Sequence, residues 1–216
     1  MLTQRSQDTP ICNAPPVALP GFGHIKRYWD KQTQLYTAKI LPGQFYVTRN
    51  HEAITTVLGS CISACIRDPV KGIGGMNHFM LPDEGGKSFD DISLSDAARY
   101  GNYAMEMLIN EILKNGGERR NLEAKVFGGG KIIKNMTNIG ERNIQFAMHY
   151  LSMENIEVIA SDVGSHHPRK VQYIPATGKA RVMKLRSLHN DTIIKRETSF
   201  MKDISQKPVQ GEVDLF

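Results

Sequence analysis

The stretch Thr55-Thr56-Val57-Leu58-Gly59-Ser60-Cys61-Ile62-Ser63-Ala64-Cys65-Ile66-Arg67-Asp68-Pro69-Val70-Lys71-Gly72-Ile73-Gly74-Gly75-Met76-Asn77-His78-Phe79-Met80-Leu81 decides how this chain reads. Asp68-Pro69 followed by Gly72 is turn chemistry, because proline fixes φ and glycine frees it. The flanks alternate or run apolar, which predicts the two strands of a hairpin. A turn centred between Pro69 and Val70 sets Cys61 directly opposite His78. Directly opposed residues share a face with Cβ atoms ~4.5–5.5 Å apart, so a thiol and an imidazole there can share a proton. A bulge or a one-residue slip would separate them.

That pair has a chemical use. A thiol at its free pKa is a poor nucleophile at neutral pH, and a neighbouring imidazole activates it as the thiolate. Gly59 and Ser60 give a permissive backbone before Cys61, with amide N–H groups able to face an oxyanion. Attack on a primary amide would release ammonia and leave a thioester for water to hydrolyse, with His78 as acid and then base. This chemistry needs no cofactor. Thr55 is a candidate for holding the imidazole through its hydroxyl, whereas strand alternation turns Asn77 to the other face. Blander readings stand beside it: a cysteine in an apolar strand is usually a small core residue. Cys61, Cys65 and His78 could instead bind a metal, although Cys-x-x-x-Cys on a strand is weak zinc spacing. His166-His167 could add ligands, but adjacent loop histidines are usually just polar.

Outward from this hairpin, Gln44 to Thr48 reads as a strand. Ser93-Leu94-Ser95-Asp96 has the form of a capping box before a helix carrying Ala97, Ala104, Met105, Leu108, Ile109, Ile112 and Leu113, which Asn115-Gly116-Gly117 stops. Lys125-Val126-Phe127 predicts a short strand running into Gly128-Gly129-Gly130. Ile144, Ala147, Met148 and Leu151 mark a second helix beginning near Gly140. Ile156 to Ala160 reads as a buried strand, and residues 171–185 as a hairpin turning at Pro175-Ala176-Thr177-Gly178. Strands outnumber helices without regular interleaving, so the expected class is α+β, a layered sandwich of mixed or antiparallel sheets with two main helices. The expected organisation is a partly mobile arm over 1–42, with 23–42 loosely packed, a domain over 43–190, and a polar tail over 191–216. Gly128-Gly129-Gly130-Lys131 fails as a phosphate loop because Ile132 stands where Ser or Thr is needed, so tight backbone packing is the better reading. Structural roles are favoured for Arg142 and Asn143.

Composition narrows the classes. Apolar residues at 40% and charged residues at 23% suit a globular domain and argue against wholesale disorder. No apolar run reaches the ~20 residues of a membrane span, and the first residues lack a signal-peptide core, so the expectation is cytoplasmic with no direct membrane insertion. Cys12, Cys61 and Cys65, an odd and small set, argue for reduced thiols. The net charge of +5 is concentrated late: residues 167–207 carry ten Lys/Arg against three Asp/Glu. A solvated face explains this more simply than an acidic partner, and no motif for nucleic acid accompanies it.

Four ordered segments together resemble the bacterial chemoreceptor glutamine deamidases, the CheD family. They are Thr55 through Leu-Gly-Ser-Cys61; Arg67-Asp68-Pro69 with Gly75-Met76-Asn77-His78-Phe79-Met80-Leu81-Pro82; Ala124-Lys125-Val126-Phe127-Gly128-Gly129-Gly130 with Ile139-Gly140-Glu141-Arg142-Asn143; and Asp162-Val163-Gly164, Arg169 and Thr177-Gly178. The resemblance spans roughly residues 44–186. It implies a Cys-His-Thr hydrolase, a sandwich similar to toxin-type cysteine deamidases, and Cys61, His78 and Thr55 as the catalytic set, with no metal. It implies glutamines on the cytosolic helical region of methyl-accepting chemotaxis receptors as substrate, and in some members a CheC-type phosphatase as partner. Where the family commonly has Gly-Gly in the fourth segment, this chain has Gly164-Ser165. A non-catalytic chemotaxis adaptor binding receptors or the phosphatase is the alternative, and a metal-binding protein a third.

Overall fold

The turn at the centre of the hairpin is built by one carboxylate. Asp68 Oδ1 accepts the N–H groups of Val70 and Lys71 at 2.8 and 2.9 Å, and Gly72 closes the turn at φ +66° with its N–H on the Asp68 carbonyl. In this computed structural model, which describes residues 14–82, 96–132, 139–185 and 190–206, the hairpin strands are Ile62–Asp68 and Ile73–Asn77.

The described strands in chain order are β1 (Lys26–Asp30), β2 (Leu35–Lys39), β3 (Phe45–Thr48), β4 (Ala53–Leu58), β5 (Ile62–Asp68), β6 (Ile73–Asn77), β7 (Glu123–Gly128), β8 (Glu157–Val163), β9 (Arg169–Ile174) and β10 (Lys179–Lys184). They form two five-stranded sheets, ordered β1-β2-β4-β9-β10 and β3-β6-β5-β7-β8. The β2–β4 and β7–β8 pairings are parallel and the others antiparallel, so both sheets are mixed and the fold is α+β. Helices α1 (Asp96–Lys114) and α2 (Ile139–Met153) pack on the second sheet, and one continuous apolar core draws on both sheets and both helices. Gly116, at φ +91°, and the Gly117 N–H on the Ile112 carbonyl end α1 where the sequence placed its stop. The capping serine expected at 93 lies outside the described residues. Among the described helices none is long and apolar enough to cross a membrane.

Four expectations change. The hairpin register pairs Asp68 with Ile73, Cys65 with Met76 and, as an isolated bridge, Ile62 with Phe79, because the turn holds four residues rather than two. His78 therefore lies two residues short of the position across from Cys61. A shift of two preserves the face, whereas a shift of one would have reversed it. Residues 23–42 are not loosely packed: β1 and β2 pair through an opposed Trp29–Tyr36 contact at 5.3 Å, and β2 joins β4 at the heart of the first sheet. The strand near 156–160 is β8, at a sheet edge and largely exposed. The expected polar tail contains a third helix, α3 (Asn190–Gln206), whose Ile193, Glu197 and Met201 are buried.

Candidate active site

Strand β4 belongs to the first sheet and β5 to the second, so Gly59-Ser60-Cys61 is the crossing between them. Each carbonyl of this crossing is pinned from outside. Gly130 donates its N–H to the Gly59 carbonyl and Gly129 to the Cys61 carbonyl, both at 2.7 Å, while Asn143 Nδ2 of α2 donates to the Ser60 carbonyl at 2.8 Å. In a trans peptide the carbonyl and the following N–H point opposite ways. Pinning the carbonyls of Gly59 and Ser60 outward therefore turns the N–H groups of Ser60 and Cys61 inward. The glycine run serves this close approach: Gly128 sits at φ +115°, and a Cβ there would come within 2.2 Å of the Cys61 carbonyl oxygen. Arg169, wholly buried, donates to the carbonyls of Gly128, Asp162 and Gly164 and pairs with the Asp162 carboxylate at 3.1 Å, which holds the neighbouring loop in place.

His78 follows β6 and faces the same interior. Its Nδ1 lies 2.7 Å from the Thr56 hydroxyl, which also donates to the Ile40 carbonyl at 2.9 Å. A hydroxyl has one proton. With that proton on Ile40, Thr56 must accept from Nδ1–H, and Nε2 is left as the bare base. Nε2 is buried and has no hydrogen-bond partner among the described residues. Cys61 Sγ, a His78 ring nitrogen and a carboxylate oxygen of Glu197 all lie within 4.8 Å of one another.

The sequence expectations meet this geometry unevenly. Cys61 and His78 come together, and Gly59 and Ser60 present inward N–H groups. Thr55 does not reach the imidazole: its hydroxyl donates to the Val171 carbonyl at 2.8 Å, and its neighbour Thr56 takes the place assigned to it. Adjacent residues on a strand face opposite ways, so a displacement of one decides between them. Cys65 is buried but lies outside the cluster of possible ligands, where Glu197 stands instead; His166 and His167 are exposed. Glu197 was missed entirely. Its only signal was a carboxylate between apolar residues at helical spacing.

Glu197 occupies the inward face of the crossing. Oε1 accepts the Gly59 N–H at 2.7 Å and the Cys61 N–H at 3.4 Å, and Oε2 accepts the Ser60 N–H at 2.8 Å and the Ser60 hydroxyl at 2.6 Å. Burial, reinforced by the Glu197 charge, pushes the Cys61 thiol well above its ordinary pKa. Burial, with the Arg196 charge, lowers His78 to about 3. Thiol and imidazole are thus both neutral here. The N–H groups of Gly59 and Ser60 converge on the Glu197 carboxylate, the arrangement of an anion-binding concavity.

Comparison with known proteins identifies the family. A protein from Halorhodospira halophila named "Probable chemoreceptor glutamine deamidase CheD" is 54% identical over 203 residues, covering 93% of this chain and 94% of that protein. This chain belongs to the CheD family. A protein of the same name from Hahella chejuensis is 52% identical over 202 residues, covering 94% of this chain and 95% of that one. The CheD profile, described as chemotactic sensory transduction, matches residues 80–184. The CheD relatives thus align with most of the chain.

Proposed function

We propose that this protein hydrolyses the side-chain amides of specific glutamines on methyl-accepting chemotaxis receptors, converting them to glutamate with release of ammonia. The observation that carries the reading is the meeting of Cys61, the bare Nε2 of His78 and the inward N–H groups of Gly59, Ser60 and Cys61. The names of the CheD relatives support the substrate class.

Nε2 takes the Cys61 proton as sulfur attacks the amide carbon, and the inward N–H groups stabilise the oxyanion. The C–N bond breaks as His78 returns the proton to the leaving nitrogen, which departs as ammonia. Water, deprotonated by His78, then adds to the thioester; the C–S bond breaks as His78 returns that proton to sulfur, which releases glutamate and restores the thiol and the neutral imidazole. Thr56 holds the imidazole with Nδ1 protonated throughout. No step calls for a cofactor. The cytosolic helical region of the receptors places the reaction in the cytoplasm, and a CheC-type phosphatase is a further partner in this reading.

The test is mass spectrometry of a receptor cytosolic fragment incubated with wild type, Cys61→Ala and Cys65→Ala. Wild type and Cys65→Ala convert particular glutamines, and Cys61→Ala loses at least ~10³ in rate. Full activity in Cys61→Ala overturns the proposal.

A further inference from the structure

Helix α3 carries one buried stripe: Ile193, Glu197 and Met201 are buried, and Phe200 and Ile204 pack partly buried against the core. These positions lie on one helical face. A carboxylate in the middle of such a stripe is strongly destabilising unless its oxygens are satisfied. Here both oxygens are satisfied, and by the groups that the reaction needs: the N–H groups of Gly59, Ser60 and Cys61. Gly59 leaves room for this, since a Cβ there would stand 2.7 Å from Glu197 Oε2. The neighbouring Arg196 donates to the Val57 carbonyl at 2.9 Å, tying the same turn of α3 to β4. With α3 seated, Cys61 is fully buried and His78 nearly so, and no glutamine from another chain can reach them.

We propose that α3 is a built-in product mimic: Glu197 occupies the position of the freshly formed glutamate, and the groove under α3 is the surface on which a substrate helix docks once α3 leaves. This rests on the deamidase reading. It adds which helix face is read: the glutamine sits on an apolar face, with apolar residues four before it and three to four after it, as Ile193, Phe200 and Met201 stand to Glu197. It also adds that the chain holds itself inactive until such a helix competes α3 away. Displacement removes the Glu197 charge from beside Cys61 and admits water, and both changes favour the thiolate.

The full-length Glu197→Gln variant turns the mimic into a substrate. Sulfur of Cys61 would attack Cδ of the introduced glutamine, the C–N bond would break with ammonia leaving, and water would cleave the thioester to restore Glu197. Intact mass is read together with a peptide from a protease other than trypsin, since cleavage after Arg196 would leave the introduced glutamine at a terminus where it cyclises. The expected result is reversion of that glutamine to glutamate, or its capture as the thioester, with the glutamine retained in Cys61→Ala/Glu197→Gln. The same Glu197→Gln protein is also incubated with the receptor fragment. Retention of the introduced glutamine while receptor glutamines are converted overturns the inference and leaves the deamidase reading standing. Failure on both substrates overturns the inference where wild type converts the receptor fragment, and the reading itself where wild type also fails. In parallel, Glu197→Lys is expected to raise both receptor turnover and the rate of Cys61 alkylation by a small haloacetamide severalfold over wild type; wild-type rates in both assays overturn the inference.

Discussion

Thr56 accepts the Nδ1 proton of His78 across 2.7 Å, and its own proton goes to the Ile40 carbonyl. One hydroxyl thereby sets both the orientation and the tautomer of the imidazole. Thr56→Val keeps the shape and removes both hydrogen bonds. A fall in receptor deamidation of roughly 10² is expected, the scale of a positioned general base, with kcat changing more than KM. Thr55→Val removes only the bond to the Val171 carbonyl; it costs about 1 kcal/mol of stability and leaves turnover near wild type. Steady-state kinetics and urea unfolding of the two variants separate these roles.

Asn143 clasps the two halves of the site. Its Nδ2 donates to the Ser60 carbonyl and its Oδ1 accepts the Leu81 N–H at 2.9 Å. Asn143→Ala strands both buried backbone groups, at about 1–3 kcal/mol for each unsatisfied group. Urea unfolding is expected to show that loss. Asn143→Asp keeps the acceptor for Leu81 but cannot donate to Ser60, so it recovers only part of the stability.

His78 makes stability depend on pH. Its folded pKa of about 3 lies below the ordinary value of 6.5, so between those values the unfolded chain binds a proton that the folded chain refuses. The contribution is fully present above pH 6.5 and is lost as pH falls toward 3, with a slope of up to about 1.4 kcal/mol per unit. The urea midpoint of wild type is expected to drop across this range, and His78→Gln is expected to flatten the drop. An unchanged slope would contradict the burial of a neutral imidazole.

Ser165 is a non-glycine residue at φ +71°, in the left-handed region where an L side chain costs about 1–2 kcal/mol. Its carbonyl accepts the Lys131 N–H at 2.7 Å, so the conformation is fixed by the loop. Ser165→Gly relieves the strain but loosens the unfolded chain by about 0.4–1 kcal/mol. A net gain of up to about 1.6 kcal/mol is expected by thermal or urea unfolding, with turnover unchanged.

Much of the fold was legible because local chemistry encodes it. Asp68-Pro69 with Gly72 made the turn, Asn115-Gly116-Gly117 ended α1, and apolar spacing placed α2 and the β9–β10 hairpin. β1 and β2 were illegible because their short half-buried segments gain their stability from pairing with β4, a contact that no local pattern announces. The exposure of β8 depends on which strand lies at the sheet edge, and sheet order is not local either.

By itself the sequence determined the hairpin that carries Cys61 and His78 on its two arms, and their shared face held because the register moved by two and strand parity survives a shift of two. Only the tertiary structure decided that Thr56, not Thr55, meets the imidazole, since that depends on where β4 sits against the end of β2 and on a one-residue parity. Only the tertiary structure brought Glu197 to Gly59, 138 positions away in the chain. A buried carboxylate is stable there because inward N–H groups receive it, and their direction is set by carbonyls pinned from the glycine run and from α2, segments distant in sequence from both.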